Sequence, residues 1–183
     1  MTILFTKAQA VGNDFLIVEG SALSAEAMNN ESLPELARRI CDRHQGVGAD
    51  GLEVIFQPDR PNVDARLRIF NADGSEAEIS GNGTRAVAAF LIAERGAEGT
   101  LRIATRAGVK QVRLIESQGR SFVLEMTMGR PIYQDSDIGC HLETEGGRRQ
   151  VTLLNVGNPQ CALFVEDFDL DWKKLGAAIE GTM

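Results

Sequence analysis

The stretch "NADGSEAEISGNGTRAVAAFL", residues 71–91, decides the fold and the site that this sequence predicts. Its first part is polar and extended, and its last part, from Thr84, is apolar and compatible with a buried helix. Ser80-Gly81-Asn82-Gly83 stands between the two parts. The first N–H groups of a helix have no internal partner and carry partial positive charge, and glycines let a ligand approach them. The pattern therefore predicts a site for a carboxylate or phosphate, or an oxyanion hole if the charge develops during a reaction.

A second interpretation of the same residues is that Ser80 or Asn82 only caps the helix. Three other segments favour a binding site, because each places an asparagine beside glycine or proline: residues 12–14, 70–74 and 157–159. Asparagine amides both donate and accept hydrogen bonds, so they suit the zwitterionic head group of an amino acid. Each segment alone is typical of an ordinary turn. Together with the helix start they predict a convergent amino-acid site.

Composition excludes several functional classes. The chain has 183 residues, 43% of them hydrophobic, and a formal net charge of −7, which allows one good core or two small ones. No basic cluster stands out, so we expect no nucleic-acid partner. No apolar run approaches the roughly 20 residues that span a bilayer, and the N-terminus lacks the features of a signal peptide. We therefore expect a cytoplasmic protein without a membrane partner.

The three cysteines and two histidines predict neither a disulfide framework nor a metal site, since there is no CxxC spacing and His44 and His141 are far apart. Cys41 falls on the apolar stripe of a helical pattern, Cys161 lies in an alternating strand pattern, and Cys140 precedes His141 in a predicted loop. None stands at a helix start that would lower its pKa, so we expect none to be reactive.

The hydrophobic periodicity predicts many strands and few helices. Because the order is not a regular βαβ alternation, we predict an α+β fold, in which a curved, mostly antiparallel, barrel-like sheet wraps around one buried helix. That helix spans 83–95, with Gly96 as its C-cap. The other predicted helices are 31–43 and 171–179. The predicted strands are 3–9, 15–19, 52–56, 63–70, three strands between 100 and 128, 149–156 and 160–166.

The segment "GVGADG", Gly46–Gly51, matches the spacing of a dinucleotide-binding loop. That loop needs a strand before it and a helix after it. Here the predicted helix comes first and the strand follows. The order favours a glycine-rich turn lining a pocket, and no nucleotide cofactor is expected.

Four stretches, in order, resemble the diaminopimelate epimerase family: "VGNDFLIVE", "RHQGVGADGLEVI", "RIFNADGSEAEISGNGTR" and "NVGNPQCALFVEDFDL". The resemblance implies two pseudo-symmetric domains, each a barrel-like sheet around a central helix, with the substrate between them. It also implies cofactor-independent conversion of LL- to meso-diaminopimelate in lysine biosynthesis. We therefore expect a first domain at 1–117 and a partial second domain at 118–183.

The resemblance also implies roles for individual residues. Asn13, Asn71 and Asn158 would hold the substrate, and Gly81 and Asn82 would offer backbone N–H groups. Two cysteines would face opposite sides of the substrate α-carbon, one as base and one as acid. In this sequence Ser80 occupies the position of the first of these cysteines.

Two further departures are Gln160, which stands where the family has a histidine, and the end of the sequence at Met183, before the family's second half-site. On this basis the second domain is expected to be incomplete, and its open strand edges to favour self-association into homo-oligomers.

Ser80 puts catalysis by this chain in question. A thiol has a pKa near 8.5, whereas a serine hydroxyl is a poor proton acceptor without a neighbouring base. No candidate base adjoins Ser80 in the sequence. Two alternatives to an epimerase therefore stay open at this point: a lyase or dehydratase that needs only one strong base on the same scaffold, and a non-catalytic amino-acid-binding protein.

Overall fold

The structure is a computed structural model that describes residues 2–24, 32–144, 147–167 and 169–181. Its contacts divide the chain into two compact units, Met1–Met128 and Gly129–Met183. Strands β7 (Gly108–Gln118) and β8 (Ser121–Met126) pair as an antiparallel hairpin within the first unit. This hairpin is the reason why the division lies after Met128, whereas the boundary expected at 117 lies inside β7.

The first unit is built on one mixed sheet. Among the described residues its strand order is β1-β2-β3-β4-β6-β7-β8, and β5 pairs with β4. The pairs β2·β3 and β4·β6 are parallel, and the other pairs are antiparallel. The remaining elements of this unit are β1 (Thr6–Ala10), β2 (Asn13–Glu19), α1 (Ser32–Cys41), β3 (Gly51–Phe56), β4 (Ala65–Asn71), β5 (Glu76–Ala77), α2 (Gly81–Arg95) and β6 (Thr100–Thr105).

Helix α2 is the centre around which this sheet curls. Both β1 and β8, the first and last strands of the order, pack against α2. Ile17, Ile55 and Leu67 face the core that contains α2, while Leu16 and Leu52 pack in a second core with α1 on the opposite face. The predicted α+β fold, with a largely antiparallel sheet around a central helix, is confirmed.

The ends of α2 follow the chemistry of its sequence. Ser80 is the N-cap, and its side chain accepts a hydrogen bond from the Gly83 amide. Gly96 ends the helix in the left-handed conformation at φ 64°, a conformation that glycine adopts without steric cost. The Gly96 C-cap is therefore confirmed, and the helix begins at Gly81, two residues before the predicted start at 83, because Ser80 caps it.

The glycine-rich segment that resembles a dinucleotide loop closes the end of α1. The amides of Val47 and Gly48 both donate to the Ile40 carbonyl, and Gly48 has a φ of 81°. A helix precedes this turn and β3 follows it, which is the order that the sequence predicts.

The second unit, taken by itself, contains a three-stranded antiparallel sheet of order β11-β10-β9 and a short helix. Its elements are β9 (Cys140–Thr144), β10 (Gly147–Asn155), β11 (Pro159–Ala162) and α3 (Trp172–Glu180). The loop predicted for Cys140 and His141 is wrong: the two residues begin β9, because Val151 and Gln150 of β10 pair with them. The strand predicted for 160–166 ends at Ala162, where its pairing with Thr152 ends.

Among the described residues, no helix has both the length and the apolar composition needed to cross a membrane.

Candidate functional site

Two of the asparagine-bearing turns, 12–14 and 70–74, meet the glycine-rich turn 46–51 at one end of the first sheet. In the register of the sheet Phe15 pairs with Gly51, and Gly51 pairs with Asn71. The segments that flank these positions therefore lie side by side, with Asn13 at the start of β2 and Asn71 at the end of β4. The side-chain amide of Asn71 donates to Ser75 Oγ at 2.9 Å, within its own turn.

The N-terminus of α2 is fastened to this end of the sheet. Asn82 Nδ2 donates to Asn13 Oδ1 at 2.9 Å, and Asn13 Nδ2 donates to Asp50 Oδ2 at 3.2 Å. The Arg85 guanidinium donates to Asn82 Oδ1. Of the residues that the sequence nominates, the structure thus brings together Asn13, Ser80, Gly81 and Asn82.

Asn158 belongs to the second unit. It lies in the turn between β10 and β11, where its carbonyl accepts a hydrogen bond from the Val156 amide at 3.2 Å. Its side chain is half-buried.

Ser80 caps α2 and still leaves donors for a ligand. Its Oγ accepts from the Gly83 amide at 3.0 Å, and its carbonyl accepts from the Thr84 amide at 2.9 Å. The amides of Gly81 and Asn82, the first two of the helix, have no acceptor in the part of the chain that the structure describes. The capping interpretation and the anion-site interpretation are therefore compatible at this helix end.

A cluster of charged side chains lies beside Asn13 and is linked to it through Asp50. Arg43 donates to both oxygens of Asp14, at 2.6 and 3.1 Å, and to Asp50 at 2.8 Å, while Lys7 forms an ion pair with Asp14 at 3.1 Å. The hydrogen bonds from Arg43, followed by those from Lys7, hold the pKa of Asp14 well below its usual range against the opposing effect of burial. Asp50 therefore joins this cluster to Asn13.

Glu53 is unusual because it is an acidic residue in the apolar interior beside this site. It lies on β3 between Ile17 and Ile69 of the neighbouring strands, and it is fully buried. Among the described residues neither carboxyl oxygen has a hydrogen-bond partner, and burial raises the pKa of Glu53 to about 8. A Cβ atom added to Gly83 would lie 1.8 Å from Glu53 Oε1, so this carboxyl group presses against the first turn of α2.

Sequence reasoning missed Glu53, Asp50, Arg43 and Arg85. For Glu53 a signal was present, since "LEVIF" is an apolar strand interrupted by one acidic residue. The other three are ordinary surface charges in the sequence, and for Asp50 and Arg43 only the fold shows what they contact.

The cysteines of this chain are poor candidates for the acid or base. Burial raises the pKa of Cys41 to about 11, and burial also raises the pKa of Cys161. All three cysteines are free thiols, and Cys140 lies on β9 in the second unit. Among the described residues, no group of three or more His, Cys, Asp or Glu side chains is arranged to hold a metal ion.

Comparison with known proteins agrees with this geometry. The family model described as diaminopimelate epimerase matches residues 5–133, a range that includes every described element of the first unit. The diaminopimelate epimerase of Pelotomaculum thermopropionicum is 42% identical over 96% of this chain and 65% of its own length. That of Desulfitobacterium hafniense is 35% identical over 95% of the chain and 64% of its own length. The chain thus spans about 65% of the length of these curated relatives.

Solved structures resemble the fold. A probable proline racemase from Agrobacterium radiobacter superposes with a TM-score of 0.71, covering 88% of this chain and 52% of the racemase, at 18% identity. A hydroxyproline epimerase from Agrobacterium vitis gives 0.70, covering 87% of this chain and 50% of the epimerase, at 14% identity.

Proposed function

Because the chain belongs to the diaminopimelate epimerase family, we propose that it binds diaminopimelate at the N-terminus of α2 and moves a proton at the α-carbon. The activity would be that of a cofactor-independent isomerase of lysine biosynthesis. One observation carries the proposal: the amides of Gly81 and Asn82 are without acceptors at a helix start that is hydrogen-bonded to Asn13.

The two amides suit both the ground state and the transition state of such a reaction. The substrate's α-carboxylate would accept hydrogen bonds from them, in the partial positive charge of the helix start. Loss of the α-proton leaves a carbanion, and its charge spreads into that same carboxylate. Fixed amide donors stabilise charge that develops in this way without having to reorganise.

The asparagines would supply the complementary contacts. Asn13 uses one N–H and one lone pair within the protein, so a second N–H and a second lone pair remain for a zwitterionic substrate. Asn71 would contact the substrate from the end of β4, and a substrate contact by Asn158 stays a prediction from the sequence. Ser80, which caps the helix beside the two amides, would be the catalytic group on this side of the α-carbon.

A cytoplasmic location, the absence of a nucleic-acid partner and assembly into a homo-oligomer stay predictions from the sequence.

Incubation with meso-diaminopimelate in heavy water tests the proposal, with proton NMR used to follow the α-hydrogens. The expected result is loss of the α-proton signal without any new product of different mass, other than the deuterated stereoisomers. A hydroxy-amino acid tested in parallel separates the alternatives, because loss of water would identify a lyase. Binding of diaminopimelate without exchange would identify a binding protein and would contradict the isomerase.

A further inference from the structure

The buried carboxyl group of Glu53 and the hydroxyl group of Ser80 both lie close to one point beside the first turn of α2. That point is where a Cβ atom on Gly83 would lie: Glu53 Oε1 is 1.8 Å from it and Ser80 Oγ is 3.1 Å from it. Gly83 has no side chain, so nothing of its own stands between the two groups. Resting on the proposed function, we propose that Glu53 is the positioning residue that receives and returns the hydroxyl proton of Ser80 during proton transfer.

The hydrogen-bonding needs of the two side chains support this pairing. Ser80 Oγ already accepts from the Gly83 amide, so its own hydrogen needs an acceptor elsewhere. Both oxygens of Glu53 are buried acceptors without a partner in the structure. A buried carboxyl group without a partner is costly. A hydrogen bond from Ser80 Oγ to Glu53 would satisfy both needs at once.

Two protons move in the proposed step. The substrate's Cα–H bond breaks, and its proton forms a new O–H bond with Ser80 Oγ. The original hydroxyl proton of Ser80 passes to Glu53, which enters the step as a carboxylate and leaves it as a neutral acid. The electron pair of the C–H bond remains on the substrate and spreads into its α-carboxylate, beside the Gly81 and Asn82 amides. The reverse sequence delivers a proton to the α-carbon.

The surroundings of Glu53 give it suitable basicity. Ile17 and Ile69 flank it on both strands, and the only charged side chain in the first turns of α2, Arg85, is hydrogen-bonded to Asn82. With no charged partner, burial alone raises the pKa of Glu53 to about 8. That value is close to the roughly 8.5 of a thiol. A Ser80–Glu53 pair would therefore supply about the basicity that the family resemblance assigns to a cysteine at this position.

The first test needs no substrate. Carbon NMR of the protein labelled with ¹³C at the glutamate carboxyl carbons gives the pKa of Glu53 in the wild type, in Ser80→Ala and in the exposed-serine control Ser117→Ala. We expect the pKa of Glu53 to rise by about 0.5 or more in Ser80→Ala, because the ionised form loses its donor, and to stay unchanged in the control. An unchanged pKa in Ser80→Ala, or a wild-type value near the roughly 4.3 of an exposed glutamate, would overturn the pairing.

The second test measures α-deuteration of meso-diaminopimelate against pH in the wild type, Glu53→Gln, Ser80→Cys and the double variant. In the wild type the rate should rise with pH up to about 8, since the carboxylate is the active form. Glu53→Gln should lose at least about 10-fold near pH 8 with unchanged substrate affinity, and the loss should shrink as the pH falls and Glu53 of the wild type becomes protonated. The double variant should keep the activity of Ser80→Cys, because a thiolate does not need Glu53.

The outcomes of the second test separate the two proposals. No exchange by either the wild type or Ser80→Cys would contradict the proposed function. Exchange by Ser80→Cys, with the wild type and Glu53→Gln equal to each other, would contradict only the role of Glu53. If Glu53→Gln fails to fold, the titration in Ser80→Ala still decides.

Discussion

Replacing Glu53 by glutamine should make the first unit more stable relative to the wild type as the pH rises. Burial raises the pKa of Glu53 from 4.5 to about 8, and no ion pair offsets it. The folded protein therefore holds a proton that the unfolded chain releases above pH 4.5. Below pH 4.5 Glu53 is protonated in both states and takes nothing from the free energy of unfolding. As the pH rises from 4.5 towards 8, only the unfolded chain releases the proton, and the free energy of unfolding falls.

The size of this effect follows from the shift. Each pKa unit corresponds to about 1.4 kcal/mol. With the two pKa values above, ionisation linkage lowers the free energy of unfolding by about 2 kcal/mol at pH 6 and about 5 kcal/mol at pH 9, compared with a group that stays neutral. Between pH 6 and pH 9 the free energy of unfolding of Glu53→Gln should therefore increase by about 3 kcal/mol relative to that of the wild type.

Urea unfolding followed by the methyl NMR signals of Val87 and Ile103 measures this difference. Both residues are buried in the first unit, whereas the only tryptophan, Trp172, lies in the second unit and would not report on it. Glu76→Gln is the matched control. Hydrogen bonds from Arg68 lower the pKa of Glu76, so its contribution is present above about pH 4.5 and is lost only as the pH falls.

The difference in the free energy of unfolding between the wild type and the control Glu76→Gln should therefore stay constant between pH 6 and 9. If the difference in the free energy of unfolding between the wild type and Glu53→Gln is also constant in that range, the carboxyl group of Glu53 does not have the raised pKa that its burial predicts.

Three other variants test the first turn of α2. In Ser80→Cys, the new thiol should titrate below the roughly 8.5 of free cysteine in an absorbance titration, because it stands at a helix start; a value at or above 8.5 would contradict that geometry. Gly83→Ala should lower the free energy of unfolding by about 1–3 kcal/mol, since its Cβ meets Glu53, and the loss should shrink in a Glu53→Ala background; equal losses would show that the two groups are not in contact. Asn82→Ala should cost about 1 kcal/mol in thermal unfolding through its lost hydrogen bonds, and should weaken binding of diaminopimelate; unchanged binding would remove Asn82 from the site.

Local patterns were sufficient to predict much of this fold. The alternating apolar residues of β4 and the caps of α2 act within a few residues of each other, so they can be read from the sequence. Strand β9 was missed because its segment is short and polar, and only its pairing with β10 makes it a strand. The parallel pairs β2·β3 and β4·β6 also depend on contacts between distant segments.

The candidate site divides in the same way. Ser80, Gly81 and Asn82 were predictable, because the chemistry of a helix start is local. Glu53 was visible as an acidic residue in an apolar strand, but its role depends on α2, which begins 28 residues later and covers it. Asp50 was not predictable, since its importance comes from a hydrogen bond with Asn13 across the fold, whereas Arg85 contacts Asn82 at a spacing of three residues within α2, which the helical pattern allows.

Variants of Gly81 test whether the amides at the start of α2 bind the substrate carboxylate. Proline is tolerated at the first position of a helix and removes only an N–H group that the helix does not use. Ser80 already has the extended conformation that a residue before proline prefers, with φ −130° and ψ 116°. Gly81→Ala is the matched control, because it adds a Cβ at ordinary contact distances, the nearest atom being 3.4 Å away, and keeps the amide.

The measurement is the affinity of the wild type, Gly81→Ala and Gly81→Pro for meso-diaminopimelate, by calorimetry. The alanine variant should bind within about threefold of the wild type. The proline variant should bind at least about 10-fold more weakly, since a hydrogen bond to a charged group contributes about 1.5–3 kcal/mol. Equal affinities of the alanine and proline variants would contradict the claim.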